Sequence, residues 1–263
     1  MLASEAPATE RQRILHQVYG DGTRELLRRA GIRPGMRVAD LGCGTGLVTV
    51  ELVERVGRQG SVVGVDINQG QLDQAVRSCW QSGYTNVNFV RTTATDTGLP
   101  AGTFDLVYCR FLLLQLADPV PAMREMHRLL RPGGIVVCED GELTTARSLP
   151  SSALGLFADL FGSLGPMRHV DYTAGQRLYH LVRDSGFDDA ELMFNQPAFI
   201  RGEEKGSREL STMAAAPAFG RAGIAPVLDL HTGLRSTRPS AGSESMVAIM
   251  PRMAQVSAVK LAA

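Results

Sequence analysis

No stretch of about eighteen apolar residues occurs in the 263-residue chain, so the sequence predicts no membrane-spanning helix and no membrane partner. The N-terminus carries Glu5 and Glu10 and lacks the apolar core of a signal peptide, so an unexported protein is expected. Net charge is also missing: 27 basic residues balance 27 acidic ones without long runs of either sign. Nothing here builds the positive field of a nucleic-acid binder, so DNA and RNA are disfavoured as partners or substrates. The four cysteines, Cys43, Cys79, Cys109 and Cys138, lie far apart without metal-type pairing. Three of them fall on or beside apolar strand-like runs and read as reduced, buried side chains, which points to the cytoplasm. There is no internal repeat, and an α/β chain of this length buries one substantial core.

What is present begins with Val38-Ala39-Asp40-Leu41-Gly42-Cys43-Gly44-Thr45-Gly46, a short apolar strand running into a glycine-rich turn. Helical spacing of apolar residues follows from Thr45 to Val56. A turn so poor in side chains lets a ligand approach the backbone closely. A second apolar strand, Val62 to Val65, ends in Asp66, which can accept hydrogen bonds from both ribose hydroxyls of a nucleoside. A nicotinamide or flavin site would want G-x-G-x-x-G facing a pyrophosphate, whereas the spacing here is G-x-G-x-G. Asp40 would repel a pyrophosphate yet could hold an ammonium, directly or through water. S-adenosylmethionine, which has an amino acid and no phosphate, meets both conditions.

Strand-like runs at 36–41, 61–66, 87–91, 104–109 and 134–139 alternate with helical patterns at 45–57, 69–82, 110–130 (broken near Pro119) and 172–185. This alternation predicts an α/β, doubly wound, mostly parallel sheet with ligands beyond the carboxyl ends of its strands. The stretch from Glu10 to Ala30 also has helical character, with Gly20 to Gly22 read as a break.

Five motifs occur in order: Val38 to Gly46, Val62 to Asn68, Asn86 to Pro100, Thr103 to Arg110, and Leu129-Leu130-Arg131-Pro132-Gly133-Gly134 before the strand Ile135 to Cys138. On these motifs the chain resembles the class I S-adenosylmethionine-dependent methyltransferases, in the branch that includes small-molecule enzymes of quinone and natural-product pathways. The resemblance runs from about Arg33 to Asp140, with weaker likeness from Gly175 to Phe187 and in Pro251 to Val256. It implies a Rossmann-like sheet of seven strands, the last antiparallel, with Asp189 to Phe194 and Met246 to Met253 as the final two. It implies one methyltransferase domain: a helical cap over 1–32, a cofactor-binding core over 33–142, cover insertions at 143–170 and 195–245, and a final strand and tail over 246–263.

The insertions hold apolar residues (Leu154, Leu156, Phe157, Leu160, Phe161, Leu164, Met167; then Phe199, Met213, Phe219, Ile224, Val227, Leu228). These suit either a cover over a hydrophobic acceptor or packing of the insertion against itself or against a second subunit in a homodimer. The tract His231 to Ser245 reads as a loop.

Under the resemblance, Gly42, Cys43, Gly44 and Gly46 present backbone to the methionine portion of S-adenosylmethionine, and Asp40 orients its ammonium. Asp66 holds the ribose and Ile67 faces adenine. Asn68 either joins that contact or caps the helix starting near Gln71. Relatives commonly place an Asp where Thr93 stands, so the adenine contact falls to Thr93 and the Ala94 backbone, or to Asp96. Cys109 and Arg110 are expected near the methionine end. Where many relatives carry a candidate His base this chain has Gln115, which cannot take a proton. A helix at the N-terminus often closes over the cofactor, which would turn His16 and Tyr19 either towards the methyl donor and acceptor or into ordinary packing.

Methyl transfer is an in-line displacement at a sulfonium carbon, so alignment and exclusion of water come first, and a base is needed only if the acceptor must lose a proton. Candidates by position are Glu139 and Asp140 at the end of the fifth strand, Glu142 beyond it, His169 in the first insertion and Tyr19 in the cap. Glu139 and Asp140 make only half of a divalent-cation site, and His127, His180 and His231 are scattered, so no metal is expected. The expected function is methyl transfer from S-adenosylmethionine to an O, N or C atom of a largely apolar small molecule, releasing S-adenosylhomocysteine. A cyclase or isomerase that binds the cofactor without transferring its methyl, and a binding-only regulator, keep the same fold.

Overall fold

The computed structural model describes residues 5–149, 155–168, 170–201, 221, 223 and 247–261. The calls on Leu154, His169, Met213, Phe219, Ile224, Val227, Leu228 and the tract 231–245 lie outside the described residues, as do the side chains of Leu156 and Phe157. In chain order the main elements are α1 (Glu5–Arg29), β1 (Arg37–Leu41), α2 (Leu47–Val56), β2 (Ser61–Asp66), α3 (Gln69–Gln81), β3 (Val87–Arg91), β4 (Phe104–Arg110), α4 (Val120–Leu129) and β5 (Leu130–Glu142). After β5 come β6 (Arg147–Leu149), α5 (Gly155–Arg168), α6 (Leu178–Asp184), β7 (Asp188–Asn195), β8 (Ala198–Phe199), β9 (Val247–Ile249) and β10 (Arg252–Val259).

Seven strands form one sheet in the order β3-β2-β1-β4-β5-β10-β7. The pairs β3/β2, β2/β1, β1/β4 and β4/β5 are parallel, and β10 runs antiparallel to both β5 and β7. This is the predicted Rossmann-like architecture. One face is covered by α1 and α2, whose Leu26, Leu27, Leu52, Val53 and Val56 pack on Val38, Val62, Leu106 and Val137. The other carries α4 and α6, whose Met123, Met126, Leu129, Leu178 and Val182 pack on Ala39, Leu41, Val107, Cys109 and Cys138. Alternate residues of each strand thus feed opposite layers, as the period of two requires. No helix among the described residues is long and apolar enough to cross a membrane.

Three sequence expectations are corrected. The last strand of the main sheet is Arg252–Val259, not Met246 to Met253; Val247–Ile249 instead joins β6 and β8 in a separate three-stranded sheet. Pro251, with no N–H to give a ladder, separates the two, and the true strand hid behind the polar but buried Gln255 and Ser257. Helix α1 runs unbroken through Gly20 and Gly22. There a Cβ on Gly22 would lie 1.9 Å from Asn195 Nδ2, so this glycine marks a close approach to the end of β7. The patterns at 110–130 and 172–185 each begin as a 3-10 turn (Leu113–Gln115, Ala174–Gln176) before α4 and α6 start.

Gly46 takes φ 78° ahead of α2, and a Cβ there would sit 2.8 Å from Cβ of Ala75 on α3. Gly83 has a similar φ of 76° but open space around it. Gly46→Ala should therefore destabilise the protein by about 2–4 kcal/mol, combining left-handed strain with overpacking, while Gly83→Ala should cost only about 1–2 kcal/mol. Urea denaturation of the two variants measures the difference.

Candidate active site

The glycine turn is built by backbone that ordinary residues avoid: Gly42, Gly44 and Gly46 have φ of 72°, 57° and 78°. It is tied to the neighbouring strand, because Gly42 N and Cys43 N both donate to the Val65 carbonyl, at 2.8 and 3.0 Å. Asp66 closes the other side, Oδ2 accepting from Gly44 N and Oδ1 from Asn68 N, each at 2.9 Å. An ionised carboxylate has about four lone-pair sites, so Asp66 keeps capacity for two hydroxyls. Beside it Ile67 is 66% exposed, an apolar side chain left open at the sheet edge. Asn68 caps α3, accepting from Gln71 N at 3.1 Å. Of the two roles open to it in the sequence, this is the one the structure displays.

Asp40 is buried on the α2 side of the sheet, with Oδ2 accepting from Thr49 Oγ1 at 2.6 Å. Burial raises its pKa to about 6, against the lowering effects of the Thr49 hydrogen bond and the Arg110 charge. Burial also pushes the Cys43 thiol up, helped by the negative fields of Asp40 and Asp66, so it is no nucleophile. Exposed apolar Ile67, the Asp66 carboxylate beside it and the buried Asp40 carboxylate ahead of a glycine-rich turn together fit a nucleoside joined to an amino acid.

After β3, Thr93 is exposed and its Oγ1 accepts from Asp96 N at 3.1 Å while sharing a hydrogen bond with Thr95. Ala94 is buried and Asp96 exposed, so both acceptors proposed for the adenine contact lie in one organised turn. The Cys109 side chain points into the α4/α6 core, paired in register with Cys138, and leaves only its backbone for a ligand. Arg110 turns to α1: Nη1 donates to Thr23 Oγ1 at 3.1 Å and Nη2 to His16 Nδ1 at 3.3 Å.

Helix α1 docks by a stripe of hydrogen-bonding residues at 12, 16, 19 and 23. Thr45 Oγ1 donates to Gln12 Oε1 at 2.8 Å, at the glycine turn itself. His16 Nε2 lies 3.3 Å from Glu51 Oε1 on α2. Tyr19 OH donates to the Pro251 carbonyl at 2.9 Å, and its ring meets Phe111 edge-on at 5.5 Å. Thr23 Oγ1 donates to Glu139 Oε2 at 3.1 Å. The 4-3-4 spacing places all four on one helix face. Gln12 and Thr23 escaped the sequence reading, and only that spacing within an otherwise apolar face could have found them. His16 and Tyr19 are both engaged in hydrogen bonds and packing that hold α1 to the sheet and α2.

The acids at the end of β5 are each occupied. Glu139 is fully buried, with Oε1 accepting from Tyr108 OH at 2.5 Å and Oε2 from Gln255 Nε2 at 2.5 Å as well as from Thr23. That charge, added to burial, drives the Tyr108 phenol well above its ordinary pKa. Asp140 faces the opposite layer and caps the 3-10 turn, Oδ2 accepting from Leu113 N at 2.8 Å and Leu114 N at 3.2 Å. Burial outweighs these bonds and raises its pKa to about 7. Glu142 receives Arg252 in a two-pronged pair at 3.1 and 2.7 Å.

A further residue unannounced by its type is Phe111, which follows β4 with φ 55°, a conformation that costs a bulky side chain of order 1–3 kcal/mol. Phe111 borders an apolar cluster of Leu114, Ala146, Leu160, Phe161, Leu164 and Tyr172 at the carboxyl edge of the sheet.

A methyltransferase domain model matches residues 38–134. The demethylmenaquinone methyltransferase of Geobacillus stearothermophilus is 30% identical over 186 residues, covering 69% of this chain and 78% of that protein. The chain belongs to the class I S-adenosylmethionine-dependent methyltransferases. The ubiquinone/menaquinone biosynthesis C-methyltransferase UbiE of Vibrio vulnificus is 35% identical over 127 residues, 46% of this methyltransferase and 49% of UbiE. Among solved structures, phosphoethanolamine N-methyltransferase 2 of Haemonchus contortus gives a TM-score of 0.62 at 17% identity, covering 95% of this chain and 56% of its own. The [4+2]-cyclase SpnF gives 0.59 at 18% identity, covering 94% and 83%. These two likenesses are of fold alone. The sequence relatives are methyl-transferring enzymes, which favours methyl transfer from S-adenosylmethionine over a cyclase activity on the same fold.

Glu139→Ala would strand three buried donors, from Tyr108, Thr23 and Gln255. The expected loss is about 3 kcal/mol or more, since each unsatisfied group costs about 1–3 kcal/mol. Chemical denaturation should show it, with proteolysis within α1 rising in parallel.

Proposed function

We propose that this methyltransferase acts on a ring carbon of a hydroquinone-type aromatic, within a single domain whose residues 33–142 hold the cofactor. The observation that carries the reading is the engagement of every acid at the end of β5: Glu139, Asp140 and Glu142 each hold structure together, and Tyr19 donates to Pro251. An enzyme so arranged suits an acceptor that is nucleophilic without help: a ring carbon beside a hydroxyl oxygen takes the methyl as the bond to sulfur breaks, and the methylated ring then regains aromaticity by giving its ring proton to water. The apolar cluster around Phe161 and Tyr172 suits an aromatic body, and the demethylmenaquinone methyltransferase and UbiE relatives bear names of that chemistry.

S-adenosylmethionine, when bound, supplies an electrophilic methyl on a sulfonium. In our reading Asp40 holds the ammonium, with Gly42, Cys43, Gly44 and Gly46 giving backbone contact and Gln12 closing over Thr45. Asp66 holds the ribose, Ile67 and Ala94 flank the adenine, and Thr93 or Asp96 meets its edge. The backbone of Cys109 and Arg110 borders the methionine end. The residues then align the acceptor and exclude water, which can supply several kcal/mol of the barrier reduction without a base.

Two measurements test this. Because Asp40 titrates near pH 6 and pairs only when ionised, S-adenosylhomocysteine should bind progressively more weakly as pH falls below about 6, approaching tenfold per unit, and should level off above it. Asp40→Asn should bind weakly at every pH with a flattened profile in calorimetry. Incubation with trideuteromethyl S-adenosylmethionine and a 1,4-naphthalenediol bearing a short isoprenoid chain should give a product labelled on ring carbon by mass spectrometry. Label on oxygen, or none from enzyme that binds S-adenosylhomocysteine, would overturn the acceptor assignment.

A further inference from the structure

Arg11 stands apart from the other arginines of α1. It lies on α1, one residue before Gln12, which is hydrogen-bonded to Thr45 of the glycine turn. It is half-buried, and no hydrogen bond or ion pair engages its guanidinium among the described residues, whereas Arg13, two residues on, pairs with Glu10. Arg24, Arg28 and Arg29 of the same helix have the carboxylates of Asp21 and Glu51, Glu25, and Glu191. Burial draws the Arg11 pKa below the ordinary arginine value, and among the described residues its electrostatic neighbour is the phenol of Tyr172. Tyr172 belongs to the apolar cluster with Leu114, Phe161 and Leu164 and meets Phe161 edge-on at 5.1 Å.

The position in the helix matters. Arg11, Leu15 and Val18 follow one another at four and three residues, and Leu15 and Val18 pack in the cluster that includes Phe111 and Met253. The guanidinium thus stands at the end of an apolar stripe, near Tyr172 of the aromatic cluster and one residue along α1 from Gln12, which contacts the glycine turn. A cation withdrawn from water without a counter-charge is costly, and bringing an anionic oxygen to it recovers the cost. Five N–H donors in a planar fork suit a phenolate or carboxylate on an otherwise apolar ring.

We propose that Arg11 is the binding and specificity residue for an acidic oxygen of the acceptor, holding an aromatic anion against the Tyr172 and Phe161 cluster beside the cofactor site. The inference rests on the hydroquinone reading and extends it: a ring hydroxyl that loses its proton to water raises electron density on the adjacent carbon, and a fixed cation at that oxygen both favours the ionised form and sets the ring's position.

The test uses the full chain saturated with S-adenosylhomocysteine and two probes of equal shape, naphthalene-2-carboxylate and naphthalene-2-carboxamide, titrated by calorimetry. Wild type should bind the carboxylate about tenfold or more tighter than the amide, the size expected of a charge-assisted hydrogen bond. Arg11→Met should bring that ratio close to one while leaving the affinities for S-adenosylhomocysteine and the amide unchanged, and Arg11→Lys should retain part of the preference. Removal of an unpaired half-buried charge should also leave the melting temperature of Arg11→Met equal to or above wild type. A wild type without preference for the carboxylate, an Arg11→Met variant that keeps it, or a variant with a lowered melting temperature would each overturn the assignment. If the naphthalenediol is not methylated while the Arg11-dependent preference is found, the acceptor class falls and the anion site stands. If it is methylated equally well by Arg11→Met, the reverse holds.

Discussion

The carboxylate of Glu139 is the point on which the functional end of this molecule depends. It is a fully buried charge that draws a phenol from β4, an amide from β10 and a hydroxyl from α1 onto one residue of β5. A buried charge must be compensated by hydrogen bonds or be expelled, so these four elements are held to one mutual arrangement. The antiparallel insertion of β10 follows the same logic, since its register sets Gln255 beside Glu139. With Thr23 anchored there, the helix face that continues through Tyr19, His16 and Gln12 is laid along the strand ends until it reaches the glycine turn.

The two sides of the sheet share the work at that edge. Asp140, the next residue along β5, points to the other layer and caps the 3-10 turn after β4. That turn follows Phe111, whose left-handed backbone aims its ring at Tyr19. Leu112 lies over Gly42, where a Cβ would meet its Cδ1 at 3.0 Å. Strain at Phe111 is thus held in place by packing from α1 and a buried carboxylate from β5, the pattern by which folds keep unfavourable conformations beside ligand sites.

This distribution has a chemical consequence. A methyl on sulfonium needs no protein acid to become electrophilic, so the fold can spend the buried carboxylates of β5 on architecture, and in the proposed reading activation falls to the acceptor's own electrons and to Arg11. Transfer then depends on distance and direction.

Much of this was legible in the residues. The strands and the glycine turn could be read because apolar periodicity and left-handed glycines are local signals, each set by a few neighbouring residues; so could Asp66 at the end of β2 and the cap at Asn68. The final strand was misplaced because Gln255 and Ser257 look like surface residues until Glu139 and the sheet surround them. Tyr19, His16 and Glu139 could be named but not given their roles, since each role is a partner more than thirty residues away. Arg11 carries nothing in its local sequence that separates it from the other arginines of its helix. The sequence by itself determined the layered α/β fold and the glycine turn at its strand ends; the tertiary structure alone decided which charges hold the helix to the sheet and which, like Arg11, have no counter-charge among the described residues, because compensation of a buried charge is a property of the space around it and not of the chain beside it.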